Sequence, residues 1–226
     1  TSVPGLPQGN SNALTPTKIV DSNVVAVRTG LHLLFLKSDG SVWSAGRNDN
    51  GELGNGNKNW GWAPIKVIDS GVTAIAAGGG ASWVIKSDGS LWGVGYMGEK
   101  VSDNWVKVVP SGVTDVSFIW ATLRYKKQDG SVWSYRYKNG SFASEQIVPG
   151  GVGSFATGYG HMIYDQNGTL YGIGSQDWGQ LGDGVPENPG HFGWNLSTST
   201  PVKVKVQPHT WLPYEDFNDN DLNATK

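Results

Sequence analysis

Asp39-Gly40-Ser41-Val42-Trp43 is written again as Asp88-Gly89-Ser90-Leu91-Trp92 and as Asp129-Gly130-Ser131-Val132-Trp133. A weaker copy follows at Asn167-Gly168-Thr169-Leu170-Tyr171. The glycines Gly40, Gly89, Gly130 and Gly168 are therefore 49, 41 and 38 residues apart. A turn signal followed by an aromatic strand, recurring every ~40–45 residues, is the sequence signature of a β-propeller blade. Asp-Gly and Asn-Gly between apolar runs are the strongest short hairpin signals, and they predict two-residue turns with positive φ between the second and third strands of each unit.

Around each copy lie four β-rich runs. They are expected at residues 24–29, 33–37, 41–45 and 64–69, then at 72–77, 82–86, 90–94 and 105–109. The third set is 113–118, 122–126, 131–135 and 145–148, and the fourth is 152–157, 161–164, 169–173 and 201–206. Alternation in Pro64-Ile65-Lys66-Val67-Ile68 and in Val202-Lys203-Val204-Lys205-Val206 fits half-buried strands. Ser70-Gly71, Ser111-Gly112 and Gly150-Gly151 mark the step from one unit to the next. The units so defined span about 24–69, 72–109, 113–148 and 152–206. Residues 15–20 read as a stray outer strand, 1–14 as an N-terminal extension and 207–226 as an acidic tail.

Composition agrees with this reading. The 226 residues include 33 glycines, 11 prolines and 11 tryptophans, with only 16% charged side chains, as in a turn-rich all-β chain. Net charge is −2 with no basic block, which argues against nucleic acid. No apolar run approaches the ~20 residues that cross a bilayer, so membrane insertion is not expected. The absence of cysteine removes thiolate chemistry and cysteine–zinc sites. No secretion signal opens the chain. Loops rich in Asn, Gly, Ser and Thr suggest an extracellular or cell-surface setting. Asn139, Asn167, Asn195 and Asn223 open sequons that matter only in a eukaryotic secretory pathway.

A glycine-rich corner, a histidine, an apolar strand, Asp-Gly and an aromatic strand lead into Gly51-Glu52-Leu53-Gly54-Asn55-Gly56 and Gly179-Gln180-Leu181-Gly182-Asp183-Gly184. Each such segment begins 11 residues after its hairpin glycine. With His32 and His161 in the histidine place, this pattern resembles the regulator of chromosome condensation repeat family. The second and third units carry Ala81-Ser82 and Ala121-Thr122 near that place, and lack the Gly-Gln-Leu-Gly segment. The resemblance covers about residues 15–206. It implies an all-β propeller of four four-stranded blades, hence an incomplete ring, a fragment or an assembling arc, since the family closes seven blades. Members act as interaction platforms, including a secreted bacterial β-lactamase inhibitor, and as nucleotide exchange factors for a small GTPase.

The repeated Trp43, Trp92, Trp133 and Tyr171 are expected to pack between blades, and His32 and His161 to tie one blade to the next. The site candidates lie outside the repeat. Strand pairing does not demand the aromatics Trp60, Trp62, Trp178, Phe192 and Trp194 of the long third-to-fourth-strand loops, which also hold His191. Tyr96 and Met97 from the second unit and Tyr159 from the fourth join them on one propeller end. Clustered exposed aromatics mark binding surfaces. The expected partner is a protein or a second copy of the chain, with carbohydrate as an alternative because tryptophan stacks on sugar rings. Asp216, Asn218 and Asn220 have calcium-loop spacing, but Asp221 stands where glycine is needed, so they are a weak metal candidate. No catalytic constellation and no cofactor motif emerges: Gly78-Gly79-Gly80 lacks the lysine of a phosphate loop. A non-catalytic binding module is the expectation.

Overall fold

The computed structural model describes residues 18–119, 122–138, 141–158, 160–175, 180–182 and 197–205. These residues form sixteen strands and no helix. The strands make four antiparallel four-stranded sheets, each a simple meander. Blade 1 contains β1 (Val24–Thr29), β2 (His32–Lys37), β3 (Val42–Gly46) and β4 (Gly61–Ile68). Blade 2 contains β5 (Val72–Gly78), β6 (Ala81–Lys86), β7 (Leu91–Tyr96) and β8 (Val101–Val109). Blade 3 contains β9 (Val113–Ile119), β10 (Thr122–Lys127), β11 (Val132–Lys138) and β12 (Ser141–Val148). Blade 4 contains β13 (Val152–Thr157), β14 (His161–Gln166), β15 (Thr169–Ser175) and β16 (Ser197–Lys203). The blades stack through their leading strands: β5 packs on β1 and β2, β9 on β5 and β6, and β13 on β9. The result is an open arc.

The core lies between blades rather than within one layer. Leu34, Leu36 and Val42 of blade 1 meet Val72, Ile75 and Val84 of blade 2. Trp83, Ile85 and Leu91 of blade 2 meet Val113, Val116, Phe118, Leu123 and Tyr125 of blade 3. Val132 and Val148 of blade 3 meet Val152, Met162 and Tyr164 of blade 4. Alternation along each strand sends successive side chains to opposite neighbours, so a blade is apolar on both faces.

The Asp-Gly hairpins differ from the two-residue turns expected. Gly40 N–H bonds to Lys37 O at 2.9 Å, and Lys37 N–H to Ser41 O at 3.0 Å. With only Gly40 in the left-handed region, this is a three-residue loop ending in a glycine bulge. Blades 2 and 3 repeat it at Gly89 and Gly130. The reason is the aspartate, whose side chain turns back onto the backbone: Ser41 N–H bonds to Asp39 Oδ1 at 2.9 Å. The expected two-residue turn occurs in blade 4, where Asn167 and Gly168 both have positive φ, 52° and 73°, and Gln166 pairs with Thr169.

Each Asp-Gly-Ser-x-Trp phrase is a local network. Trp43, Trp92 and Trp133 donate through Nε1 to Ser41, Ser90 and Ser131 Oγ at 3.1, 2.8 and 2.8 Å. Lys37, Lys86 and Lys127 lie over the same rings at 4.8, 4.1 and 4.5 Å. Hydrogen bonds from Ser41, Ser90 and Ser131 hold the Asp39, Asp88 and Asp129 carboxyls below the usual carboxylate range. The inter-blade role of these rings is met in part: Trp92, Trp133 and Tyr171 are partly buried against inter-blade clusters. Trp43 instead stacks on Phe35, with centroids 6.2 Å apart.

Of the outer strand expected over 15–20, only Lys18, Ile19 and Val20 are described. They belong to no strand, and Ile19 is exposed.

Candidate interaction surface

Residues 47–60 join β3 to β4 and are organised by one buried side chain. Asn48 Nδ2 donates to Asn55 Oδ1, Asn57 O and Asn59 O at 3.2, 2.9 and 2.9 Å, while Asn48 Oδ1 accepts from Leu53 N at 2.9 Å. Leu53 is fully buried, and its carbonyl accepts from Ser44 Oγ at 2.9 Å. Glu52 is also buried, with Oε2 accepting the Asn50 N–H at 2.8 Å. Gly51 and Gly54, with φ of +80° and +72°, let this backbone lie directly on β8, where a Cβ would meet Asp103 or Trp105 at 2.5 Å. A hydrogen bond of 3.1 Å from Gly56 N to Asp103 O completes the clamp of blade 1 on blade 2.

Histidine adds a second tie at the same junction. Ser82 Oγ of blade 2 donates to Glu52 O at 2.8 Å, so His32 must be the donor in its 2.6 Å bond to Ser82 Oγ. Burial holds the His32 imidazole down to about 4 from an ordinary 6.5. The ring is therefore neutral near pH 7 and works as a structural clasp, as the sequence suggests. In blade 4, His161 opens β14 and its carbonyl accepts from Arg124 Nη1 at 2.8 Å.

The braced loop delivers Trp60 and Trp62 to the outer rim of blade 1. Trp60 donates through Nε1 to Asp49 Oδ1 at 2.7 Å, and Arg47 Nε holds the other carboxylate oxygen at 2.5 Å. These two hydrogen bonds, Trp60's first, keep the Asp49 carboxyl below its usual range. Trp60 is 49% and Trp62 81% exposed, with ring centroids 5.8 Å apart and planes inclined by 46°. The loop does not fold these rings into the blade. Tyr96 is exposed at the end of β7, opposite the exposed Val101. Among the described residues no ring contact joins it to the tryptophan pair.

Met97 departs from the expectation. It is buried, and its sulfur sits over Gly93 at 2.7 Å from where a Cβ would be. Leu181 covers Gly172 in blade 4 in the same way, at 3.0 Å. Met97 thus does in blade 2 what the leucine of the Gly-x-Leu-Gly segment does elsewhere. Tyr159, Trp178, His191, Phe192, Trp194 and the calcium candidates Asp216, Asn218 and Asn220 lie outside the described residues. Among the described residues no cluster of three metal-ligating side chains occurs. Sequence reasoning missed Asn48 as the organiser of the loop, although the run Asn48, Asn50, Asn55, Asn57 and Asn59 was a visible signal.

Braced glycine loops, Asp-Gly hairpins and blade-to-blade histidine define an arc of propeller blades built from one repeated unit. Residues 39–85 match the Regulator of chromosome condensation (RCC1) repeat, and the chain resembles that repeat family. Three solved structures share its fold at a TM-score of 0.67. They are human WBSCR16 at 22% identity, Prp20p from Saccharomyces cerevisiae at 18%, and yeast RCC1 (Prp20) bound to Kap60 at 19%. The comparisons cover 83%, 82% and 82% of this chain and 54%, 51% and 50% of those chains. The chain therefore spans about half the length of the structures it matches.

Proposed function

We propose that this chain is a non-catalytic interaction module that engages a protein partner through the aromatic rim of blade 1. The observation that carries the reading is Trp62, 81% exposed at the start of β4, beside Trp60 at the end of a loop whose hub, Asn48, is fully buried. A rigid scaffold holding two large rings in water has borne its ordering cost before binding, which favours a contact hot spot. The fold neighbours support protein binding as the class of activity: the Prp20p structure is described with its binding to Gsp1p and histones, and yeast RCC1 with Kap60.

Peptides selected from a displayed random library on the immobilised chain test this. Binders should weaken roughly thirtyfold against Trp62→Ala or Trp60→Ala, as for hot-spot tryptophans. Binders indifferent to both substitutions would refute the reading. A glycan array addresses the carbohydrate alternative, with hits lost in Trp62→Ala as its signature.

Nucleotide exchange on a small GTPase is the second reading, supported by the likeness to Prp20p, a protein studied for binding Gsp1p. Release of a fluorescent guanine nucleotide from a small GTPase, measured with and without the chain, decides it. No acceleration removes the exchange reading and leaves the interaction reading standing.

A further inference from the structure

The three internal blade junctions are built alike. At each, the hairpin glycine of one blade accepts the amide of the first valine in the next. Val72 bonds to Gly40 O at 3.1 Å, Val113 to Gly89 O at 2.9 Å and Val152 to Gly130 O at 3.1 Å. That valine and a residue three further on, Ile75, Val116 or Phe155, turn their side chains onto the preceding blade. From the other side the residue two after the hairpin glycine, Val42, Leu91 or Val132, is fully buried. These positions correspond by register: Val24, Val72, Val113 and Val152 all stand opposite the last residue before the hairpin or its equivalent, Lys37, Lys86, Lys127 and Gln166.

The two ends of the arc carry the two halves of this same junction. Blade 1 presents Val24 and Val27, 39% and 49% exposed, where Val72 and Ile75 are buried. Blade 4 presents Leu170, 46% exposed, at the position of Val42, Leu91 and Val132. At Gly40, Gly89 and Gly130 a Cβ would meet the next blade's glycine nitrogen at 2.7 Å, whereas Gly168 has nothing within 4 Å. The faces also differ in charge. Lys37 lies on the same side of β2 as Phe35, facing away from blade 2, and Asp165 lies on the side of β14 that faces away from blade 3, with Ile163.

We propose that the blade 4 face of one copy of this chain receives the blade 1 face of a second copy, head to tail. In that contact the Val24 N–H meets the Gly168 carbonyl, Val24 and Val27 cover Leu170 and Ile163, and Lys37 comes beside Asp165. The occupant is a second copy because both halves of the junction that recurs inside the chain are present on it, at equivalent strand positions and with opposite charges. A head-to-tail contact either closes or polymerises. Two four-bladed arcs make eight blades, within the range of roughly four to eight that propellers adopt. Closure at two copies then covers Val24, Val27 and Leu170 of both arcs. This surface is distinct from the Trp60–Trp62 rim, so either proposal can fail without the other.

Sedimentation equilibrium of the full chain tests it. The wild type should associate to twice the 24.2 kDa chain mass as concentration rises. Val27→Asp and Leu170→Asp should each be monomeric with unchanged circular dichroism. Mixing the two variants should restore a heterodimer, because Leu170 of the first can still receive Val27 of the second. A wild type that stays monomeric, a dimer that both substitutions leave intact, or variants that do not complement on mixing would each overturn the proposal. Open polymers of the wild type would overturn the closed ring.

Discussion

The internal blade junctions and the two ends of the arc use the same positions of the repeat, yet the junctions are dry and the ends are wet. Leu91 and Leu170 follow their hairpin glycines at the same spacing and pair with the same position of the preceding strand, Ile85 or Asp165. One is fully buried and the other 46% exposed. Val72 and Val24 make the same contrast on the opposite face. Burial of a repeat position is thus decided by what stands beside the blade and not by the residue written there.

The largest expected effect separates the two leucines directly. Leu91→Ala should cost about 3–4 kcal/mol by lost transfer energy and a cavity. Leu170→Ala should cost under about 1 kcal/mol in the dissociated chain, because its side chain already meets water. Urea unfolding at low protein concentration reads both, and equal losses would erase the distinction between junction and end.

Acid should loosen the closed junction first. The His32 imidazole titrates near 4 when folded and near 6.5 when unfolded. The unfolded chain therefore binds more protons between those values. Stability from the neutral clasp is complete above about pH 6.5 and falls as pH drops toward 4, by up to about 3 kcal/mol. Unfolding measured from pH 7 to 4 should show this slope, and His32→Gln should flatten it. A slope unchanged in the variant would assign the acid sensitivity elsewhere.

Hairpin glycines sharpen the comparison at backbone level. Gly40 and Gly168 have φ of 77° and 73°, so alanine is strained at both. Only Gly40 also has a backbone nitrogen at 2.7 Å from its Cβ position. Gly168→Ala should cost about 1 kcal/mol and Gly40→Ala roughly twice that or more. The smallest effect belongs to the rim: Trp62→Ala should change stability by under about 0.5 kcal/mol, since the side chain is 81% exposed. A large loss there would show that the loop leans on the ring, and would remove it as a free binding surface.

Much of this fold was legible because the repeat wrote it several times. The strands 24–29 and 152–157 were read to the residue, and the blade order followed from the glycine spacing. Outer strands were read less well. β8 begins at Val101 rather than at 105, and β16 covers Ser197–Lys203 rather than 201–206. Those strands form beside only one neighbour, so their apolar alternation is weak and their start is set by the loop before them. The Asp-Gly turns are legible in the sequence but their type is not, since the Ser41 N–H donating to the Asp39 carboxylate selects the three-residue loop. Trp60 and Trp62 were legible as aromatics that pairing did not need. Met97 was not, because its burial depends on the gap above Gly93. The exposure of Val24, Val27 and Leu170 is invisible in composition, for Val72, Ile75 and Val132 are buried at the equivalent positions one blade away.

Amide hydrogen exchange at Val24 tests the central claim most directly. Val72, Val113 and Val152 bond to the hairpin carbonyl of the preceding blade, and their amides should exchange slowly at every protein concentration. Val24 should exchange fast in dilute protein and slow as concentration rises, in step with Leu170 becoming covered. Slowing of Val24 with concentration, absent in Leu170→Asp, is the predicted result. A Val24 amide whose exchange ignores concentration, or one already as slow as Val72 in dilute solution, would contradict the account.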